Sequence, residues 1–491
     1  MKLKDVLRYC FLLESVNESY LNKDITTITQ DTRQVTKGSL FIAIEGANFD
    51  GHSLIQEALE KGATAVVVER RPNDQTMPYV LVPDTKKALA EIANAFYGNP
   101  SETLNVVGVT GTNGKTTITH LVDQIVDLLG HKAGIIGTMY NKIDDQVLPT
   151  INTTPDSITI QKLLQQMNRA GVSVSALEVS SHGLAQGRTW GIDFDIAVFT
   201  NLTQDHLDFH GSMEEYFLAK SLLFSQLGNS YTGKRKLAVI NQDDSYGRKL
   251  SQMTSANVLT YGCEGQGDLQ ARRIRIDSTG TSFNLCFQEV SYEVQTMLIG
   301  EFNVYNLLAA IGVTIGLGYN FEEVLEVIPA IKPVMGRFQL VANAKKVAAI
   351  VDYAHTPDGL ENVLETAQEI ATKKIFCVVG CGGDRDKTKR PLMAEIALKY
   401  ATTAIFTTDN PRREEPMSIV EDMIAGTHQD NYMIELDRKK AIQLAMDLAE
   451  EGDLVLVAGK GHETYQITGE KTIHFDDSEI ISEYQPSIEV R

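Results

Sequence analysis

The segment Val106-Val107-Gly108-Val109-Thr110-Gly111-Thr112-Asn113-Gly114-Lys115-Thr116-Thr117 constrains this chain more than any other. An apolar run feeds a glycine-punctuated turn ending in Gly-Lys-Thr-Thr, and a helical pattern follows from Ile118. Strand, loop and helix in that order form a phosphate cradle. The glycines let backbone N–H groups turn inward, Lys115 reaches the outer phosphates, and the Thr116 hydroxyl can ligate Mg²⁺. The strict P-loop pattern places a glycine five residues before Gly114, where this chain has Val109, and Gly108 stands one residue too early. The loop is a variant cradle, and it predicts nucleoside triphosphate binding on an α/β sheet.

At 491 residues the chain exceeds a single core and predicts about three domains. A net charge of −19 argues against nucleic acid as a partner, because phosphate backbones require a basic surface. Cys10, Cys263, Cys286, Cys377 and Cys381 form neither a disulfide framework nor a paired metal spacing. Asp5 and Arg8 interrupt the basic start, no long apolar stretch follows, and no window reaches the length of a membrane span. The expectation is a soluble, cytoplasmic protein with no membrane partner.

Three blocks follow from the hydrophobic pattern. Residues 1–100 read as short strands (39–44, 63–68, 79–82) and helices (53–61, 85–97), with Gly98-Asn99-Pro100 as a stop. Residues 101–332 alternate strands at 105–109, 132–136, 172–179, 196–199 and 237–240 with helices such as 117–129 and 158–170. A strand-rich insert at 268–299 and a helix at 304–316 come next. That alternation predicts a mostly parallel sheet flanked by helices. Residues 333–491 repeat the pattern with strands at 348–353, 375–379, 403–407 and 453–458, predicting a Rossmann-like α/β domain.

Functional crevices in such sheets lie beyond the carboxyl ends of the strands. Glu178-Val179-Ser180-Ser181-His182 ends one strand and puts a carboxylate where a hard cation could be held against a triphosphate. The loop Asn201–His210 ends another and is dense in Asp and His, while Lys220 stands in the helical run that follows, with a solvated surface position as its default reading. In the last block Asp352–Pro357, Gly380–Lys387, Asp409-Asn410-Pro411-Arg412 and Gly459-Lys460-Gly461-His462-Glu463 all follow strands. Together they bring Arg385, Arg412 and Glu463 to one sheet edge. Such a pocket suits a small zwitterion, since arginines take carboxylates and a glutamate takes an ammonium.

In order, Gly111–Thr116, Asn152-Thr153-Thr154-Pro155, Glu178–His182, Asn201–His210, Asp352–Pro357, Asp409–Arg412 and Gly459–Glu463 resemble the Mur ligase family essentially end to end, including its variant P-loop. The resemblance implies an N-terminal domain gripping a UDP end, a central ATP domain and a C-terminal domain receiving an amino acid. It places Thr32 (where the family usually has Ser) and Arg33 at the nucleotide-sugar site, and Asn152, Thr153, Thr154, Ser180, Gln186 and Arg188 on the sugar-peptide. ATP falls to Gly111, Thr112, Asn113, Gly114, Lys115, Thr116, Thr117, Asn303, Asn306, Arg337 and Asp352, and Mg²⁺ to Thr116, Glu178 and His206. Lys220 matches a lysine that the family carbamylates with CO2, against its default reading; Lys115, Glu178, His206 and Lys220 become the catalytic set. The implied reaction is ATP-dependent amide formation through an acyl phosphate, by a monomer.

Within the family, Asp409-Asn410-Pro411-Arg412 resembles the version accepting meso-2,6-diaminopimelate onto UDP-MurNAc-L-Ala-D-Glu, with Arg385, Asp409, Asn410, Pro411, Arg412, Gly459 and Glu463 on the amino acid. On this reading Arg412 pairs with the distal carboxylate, Glu463 with the distal ammonium and Arg385 with the other carboxylate. Lysine lacks the distal carboxylate and would leave Arg412 unpaired, which is costly in a closed site. The alternatives are a lysine-adding sibling, a folate-type ligase (which should lack Asn152–Pro155 and Asp409–Arg412), a P-loop kinase, or a non-catalytic nucleotide-binding scaffold.

Overall fold

The computed structural model describes residues 1–46, 49–229 and 233–485. Three α/β units follow one another along the chain. In the first, the strands Thr27–Thr29, Ser39–Ile42, Ala65–Val68 and Tyr79–Leu81 form a parallel sheet in sequence order. The helix Thr85–Phe96, capped by Asp84, covers one face. Arg8 donates to Asn99 Oδ1 at 3.3 Å within this unit, and Gln165 and Asn168 donate to the carbonyls of Tyr97 and Pro100 at 2.8 Å each, fastening it to the next.

The central sheet has eleven strands. Its parallel heart runs Asn257–Gly262, Leu237–Asn241, Ile196–Phe199, Asn105–Thr110, Val174–Glu178, Ala133–Ile136. These strands read as continuous apolar runs because both faces are buried. Val107, Val109, Ala176 and Val198 pack under the helices Lys115–Leu128 and Glu301–Leu317. Val106, Leu177, Ala197 and Phe199 pack under Ser157–Ala170 and Met213–Ser225. The strand-rich stretch expected at 268–299 is not a separate insert. Leu269–Asp277, Gly280–Phe287 and Val290–Thr296 extend the same sheet, joined through the two-residue register Tyr261↔Leu269 and Gly262↔Gln270.

The third sheet, ordered Gln339–Leu340, Ala348–Asp352, Leu454–Ala458, Ile375–Val379, Thr403–Phe406, Tyr432–Ile434, is parallel except at its first strand. Its helices Pro357–Ile370, Lys389–Tyr400 and Pro416–Ile424 cover one face, and Arg438–Leu448 with Asp477–Ser482 the other. A fully buried Arg438–Asp477 ion pair at 2.7 Å pins the last helix, and Arg438 Nη2 also donates to the Ala458 carbonyl at 3.0 Å. Among the described residues, no helix is long and apolar enough to cross a membrane.

Candidate active site

The strand Asn105–Thr110 delivers the loop Gly111–Gly114 to the carboxyl edge of the central sheet. Gly111 (φ +150°) faces Thr200, whose Oγ1 any Cβ would strike, and Gly114 (φ +89°) turns the chain into the helix against Asn306. Lys115 Nζ donates to the carbonyls of Gly111 and Thr112 at 2.9 and 2.8 Å, and burial lowers its pKa from the usual lysine value.

Glu178 is fully buried at the end of the neighbouring strand, and Thr116 Oγ1 donates to its Oε2 at 2.9 Å. The backbone N–H of Thr138 donates to Glu178 Oε1 at 2.9 Å, and the Thr138 hydroxyl lies 2.9 Å from Oε2 and 3.0 Å from Thr153 Oγ1. Two oxygen donors, the Thr116 hydroxyl and the Glu178 carboxylate, therefore adjoin at the mouth of the phosphate loop. That donor set suits a hard divalent cation whose remaining ligands come from phosphate and water. Among the described residues, no three His, Cys, Asp or Glu side chains converge into a metal cage.

Lys220 is not a surface lysine. It is 1 % exposed, its Nζ donates to the Gly111 carbonyl at 2.8 Å, and it sits 4.6 Å from the centre of the Tyr216 ring. Burial, with the Lys115 charge second, drives its pKa far down. His206 enters the same cleft from a left-handed backbone position (φ +55°), with Nε2 3.3 Å from Asp205 Oδ2 and its ring 4.8 Å from His182. Burial holds the His206 ring neutral.

Of the residues expected on the sugar-peptide, four form one cluster. Thr154 Oγ1 accepts the Ser180 N–H at 2.9 Å, and Arg188 donates to the Thr154 carbonyl at 2.7 Å and to Gln186 Oε1 at 2.6 Å. Thr153 joins them through Thr138. Asn152 is exposed in the preceding loop, beside Ile151, which is 97 % exposed. In the first unit Thr32 is buried, while Arg33 is exposed and paired with Asp31 at 2.7 Å.

The third unit docks its strand ends onto this edge. Arg337 Nη2 donates to Thr116 Oγ1 at 3.0 Å, and its guanidinium lies 4.4 Å from the Tyr353 ring centre. Asn113, in the phosphate loop, donates to Asp358 Oδ2 at 2.7 Å, and Lys389 lies 3.9 Å from Asp205. Between the units lies a cleft of about 550 Å³ lined by Asn113–Thr117, Glu178, His206, Lys220, Asn306, Arg337 and Asp352. Asn303 lies behind Asn306, accepting its Nδ2 at 3.2 Å. Asp352 receives the backbone N–H groups of Phe338 and Ala354 at 2.6 and 2.7 Å, so it braces the linker that carries Arg337. Asp358 and Thr138 escaped the sequence reading; Asp358 was the more accessible of them, being the residue after the Asp352–Pro357 run.

Along the same carboxyl edge of the third sheet the loops of Arg385, Asp409–Arg412 and Gly459–Glu463 converge. Arg412 (φ +51°) is half-buried and donates to the carbonyls of Gly383 and Asn410 at 2.8 and 3.4 Å. Burial, then Arg385, lowers its pKa. Arg385 is exposed and donates to the Asp384 carbonyl at 3.0 Å. Among the described residues, neither arginine has a carboxylate partner in ion-pair range. Glu463 departs from the sequence expectation. Its Oε2 is already held by Lys460 Nζ at 3.0 Å and Asn410 Nδ2 at 2.9 Å. Pro411 and Gly459 are buried in the turns between them, and Asp409 Oδ1 accepts the Asn410 N–H at 2.6 Å.

Comparison with known proteins agrees with this geometry. The chain matches the Mur ligase family catalytic domain over residues 24–97, the Mur ligase middle domain over 109–314 and the Mur ligase glutamate ligase domain over 336–461. It is 52% identical over 459 residues to a UDP-N-acetylmuramoyl-L-alanyl-D-glutamate--2,6-diaminopimelate ligase of Lactiplantibacillus plantarum, covering 93% of each chain. A protein of the same name from Listeria monocytogenes is 51% identical, over 92% of this chain and 93% of its own. A solved structure of a ligase of that name superposes with a TM-score of 0.69 at 32% identity, over 98% of both chains. A MurF ligase from Thermotoga maritima in complex with ADP shares the fold at 21% identity (TM-score 0.65, 90% of this chain and 95% of that one).

Proposed function

The chain belongs to the Mur ligase family, and on that premise we propose that it joins meso-2,6-diaminopimelate to the D-Glu side-chain carboxylate of UDP-MurNAc-L-Ala-D-Glu, at the expense of ATP, in peptidoglycan synthesis. It is a ligase of three domains, read here as 1–100, 101–332 and 333–491, and acts as a cytoplasmic monomer. The observation that carries the reading is the opposition of two strand-end loop sets. One is a phosphate cradle with a buried carboxylate. The other offers two guanidiniums with no carboxylate partner among the described residues, in a unit docked against the first.

A carboxylate is a poor electrophile, so one of its oxygens first attacks the γ-phosphorus of ATP, releasing ADP and leaving an acyl phosphate. Lys115 and the loop N–H groups hold the phosphates in line, and Arg337 adds a cation beside Thr116 from across the cleft. Mg²⁺, held by Thr116 and Glu178 with the neutral His206 nitrogen nearby, would offset phosphate charge. The free amine then attacks the acyl carbon, a C–N bond forms, and phosphate leaves as the amine loses its proton. Thr153, Thr154, Ser180 and Arg188 hold the acceptor's peptide, and Thr32 and Arg33 its nucleotide end. The rate comes from positioning more than from a protein nucleophile.

Lys220 fits carbamylation because the reaction requires a neutral amine. Burial supplies one, and attack on CO2 with loss of one proton converts it to an anion beside the metal position.

The test is phosphate release from ATP and Mg²⁺ with UDP-MurNAc-L-Ala-D-Glu, comparing meso-diaminopimelate with L-lysine. Release with diaminopimelate alone is expected. Preference for lysine would reject the assignment of Arg412, and silence with both would reject the substrate.

A further inference from the structure

Lys460 is the unexplained group of the amino-acid pocket. It is a lysine with no exposed surface, set just past the end of the strand Leu454–Ala458. A buried ammonium is costly unless paired and hydrogen-bonded, so its partners define its purpose. Nζ reaches Glu463 Oε2 at 3.0 Å and Asn410 Oδ1 at 3.2 Å, and lies 5.5 Å from the Tyr465 ring centre. Asn410 closes the triangle by donating to the same Glu463 oxygen at 2.9 Å, while its Oδ1 also takes the Ile467 N–H at 2.9 Å. One ammonium thus ties the Asp409–Arg412 loop to the Gly459–Glu463 loop and neutralises the glutamate between them.

We propose that Lys460 is a specificity-determining positioning residue, acting through Glu463 to keep the pocket from accepting a diamino acid that lacks a second carboxylate. The inference deepens the diaminopimelate reading and rests on it. Charges in the pocket set the direction. Among the described residues Arg385, Arg412 and Asp409 have no partner in ion-pair range, and the Lys460–Glu463 pair cancels internally. The Arg438–Asp477 pair behind them cancels likewise. Counted over Arg385, Arg412, Asp409 and the two internal pairs, the surplus is one positive charge. A distal end carrying both ammonium and carboxylate satisfies it; a distal ammonium alone meets a net cation and a glutamate whose charge is already spent. Discrimination against lysine therefore has a repulsive element beside the attractive one at Arg412.

The experiment measures kcat/KM for meso-diaminopimelate and for L-lysine in the full-length enzyme with ATP, Mg²⁺ and UDP-MurNAc-L-Ala-D-Glu. Where lysine is not turned over, its inhibition constant against diaminopimelate replaces the second value. Lys460→Met frees the Glu463 charge, so the preference for diaminopimelate is expected to fall about tenfold or more, in KM and not in kcat. Glu463→Gln leaves Lys460 uncompensated, and the preference is expected to rise. This second variant keeps the test open if the first does not fold. In the Glu463→Gln background, Lys460→Met should no longer lower the preference below that of the wild type. An unchanged preference in the single variants, or the same drop with and without Glu463, overturns the proposal. A wild-type enzyme silent with both amino acids would instead overturn the diaminopimelate reading itself, so the two failures are separable.

Discussion

Replacing Lys220 by Met tests whether burial has made this lysine a neutral amine. The substitution keeps length and volume, removes the charge, and leaves the Gly111 carbonyl served by Lys115 at 2.9 Å. The lost hydrogen bond costs about 0.5–1.5 kcal/mol, an offset that does not vary with pH. The pH dependence is decisive. The folded-state pKa lies well below the ordinary 10.5, because burial and Lys115 penalise the ammonium. Between those two pKa values the unfolded chain binds a proton that the folded chain does not. The wild type is therefore penalised as pH falls below 10.5, and regains stability as pH rises, by about 1.4 kcal/mol per unit. Urea unfolding at pH 7, 8 and 9 in CO2-free buffer gives the difference between variant and wild type, in which other titrations cancel. That difference should shrink as pH rises, by about 1.4 kcal/mol for each unit lying between the two pKa values. A flat difference would mean that Lys220 stays protonated across this range, and the physical case for carbamylation would fail. The companion measurement is a carbamate ¹³C resonance on adding labelled bicarbonate, present in the wild type and missing in Lys220→Met, whose activity bicarbonate should not restore.

Arg412→Leu should lower kcat/KM for diaminopimelate about a hundredfold or more while leaving KM for ATP unchanged, read by steady-state phosphate release. Asn113→Ala removes the donor to the mostly buried Asp358, weakening the docked arrangement by about 1–3 kcal/mol. Its expected signature is a roughly tenfold higher KM for ATP with a larger radius of gyration by small-angle scattering; an unchanged radius would refute the latch. Arg438→Met strands the Asp477 carboxylate in the core and should cost about 3–5 kcal/mol in urea unfolding. Arg438→Met with Asp477→Leu should recover most of that loss, and failure to do so would place the cost elsewhere.

The strands that build the sites were legible because they are buried on both faces. Ile196–Phe199 and Ile375–Val379 coincide with their expected bounds, and Asn105–Thr110 differs by one residue. Elements escaped where burial is partial. Asn257–Gly262 hides only its last two residues, the hairpin Tyr465–Thr468 with Lys471–His474 is largely exposed, and neither carries a strong hydrophobic signal. Joining of the 269–296 strands to the central sheet was hidden for another reason: it depends on a two-residue register with Asn257–Gly262, and strand adjacency is not a local property. Lys220 and Lys460 show the same limit at side-chain level. Nothing in the spacing of either distinguishes a buried lysine from a solvated one; Lys220 was reached only through the family resemblance, and the role of Lys460 was not reached at all.

What neither motif nor period could supply is the relation between the two loop sets. Each sheet presents its strand ends as a self-sufficient crevice, yet the chemistry needs a phosphorylated carboxylate from one side and an amine from the other. An apolar seam, Ile299 and Phe302 against the third unit's core, joins them, and three polar contacts lie at the cleft itself: Arg337 to Thr116, Asn113 to Asp358, Lys389 near Asp205. All three start or end on a residue of the phosphate loop, the helix turn it feeds or the Asp-His loop beside it. Docking and phosphate binding consequently draw on the same side chains. Thr116 illustrates the competition: its one hydroxyl faces the Glu178 carboxylate, the Arg337 guanidinium and the expected cation position. A ligand that reorganises this hydroxyl must also reset the grip of the third unit. Nucleotide occupancy and domain closure should then be coupled in part through this hydroxyl, and a change at either is expected to be felt at the other.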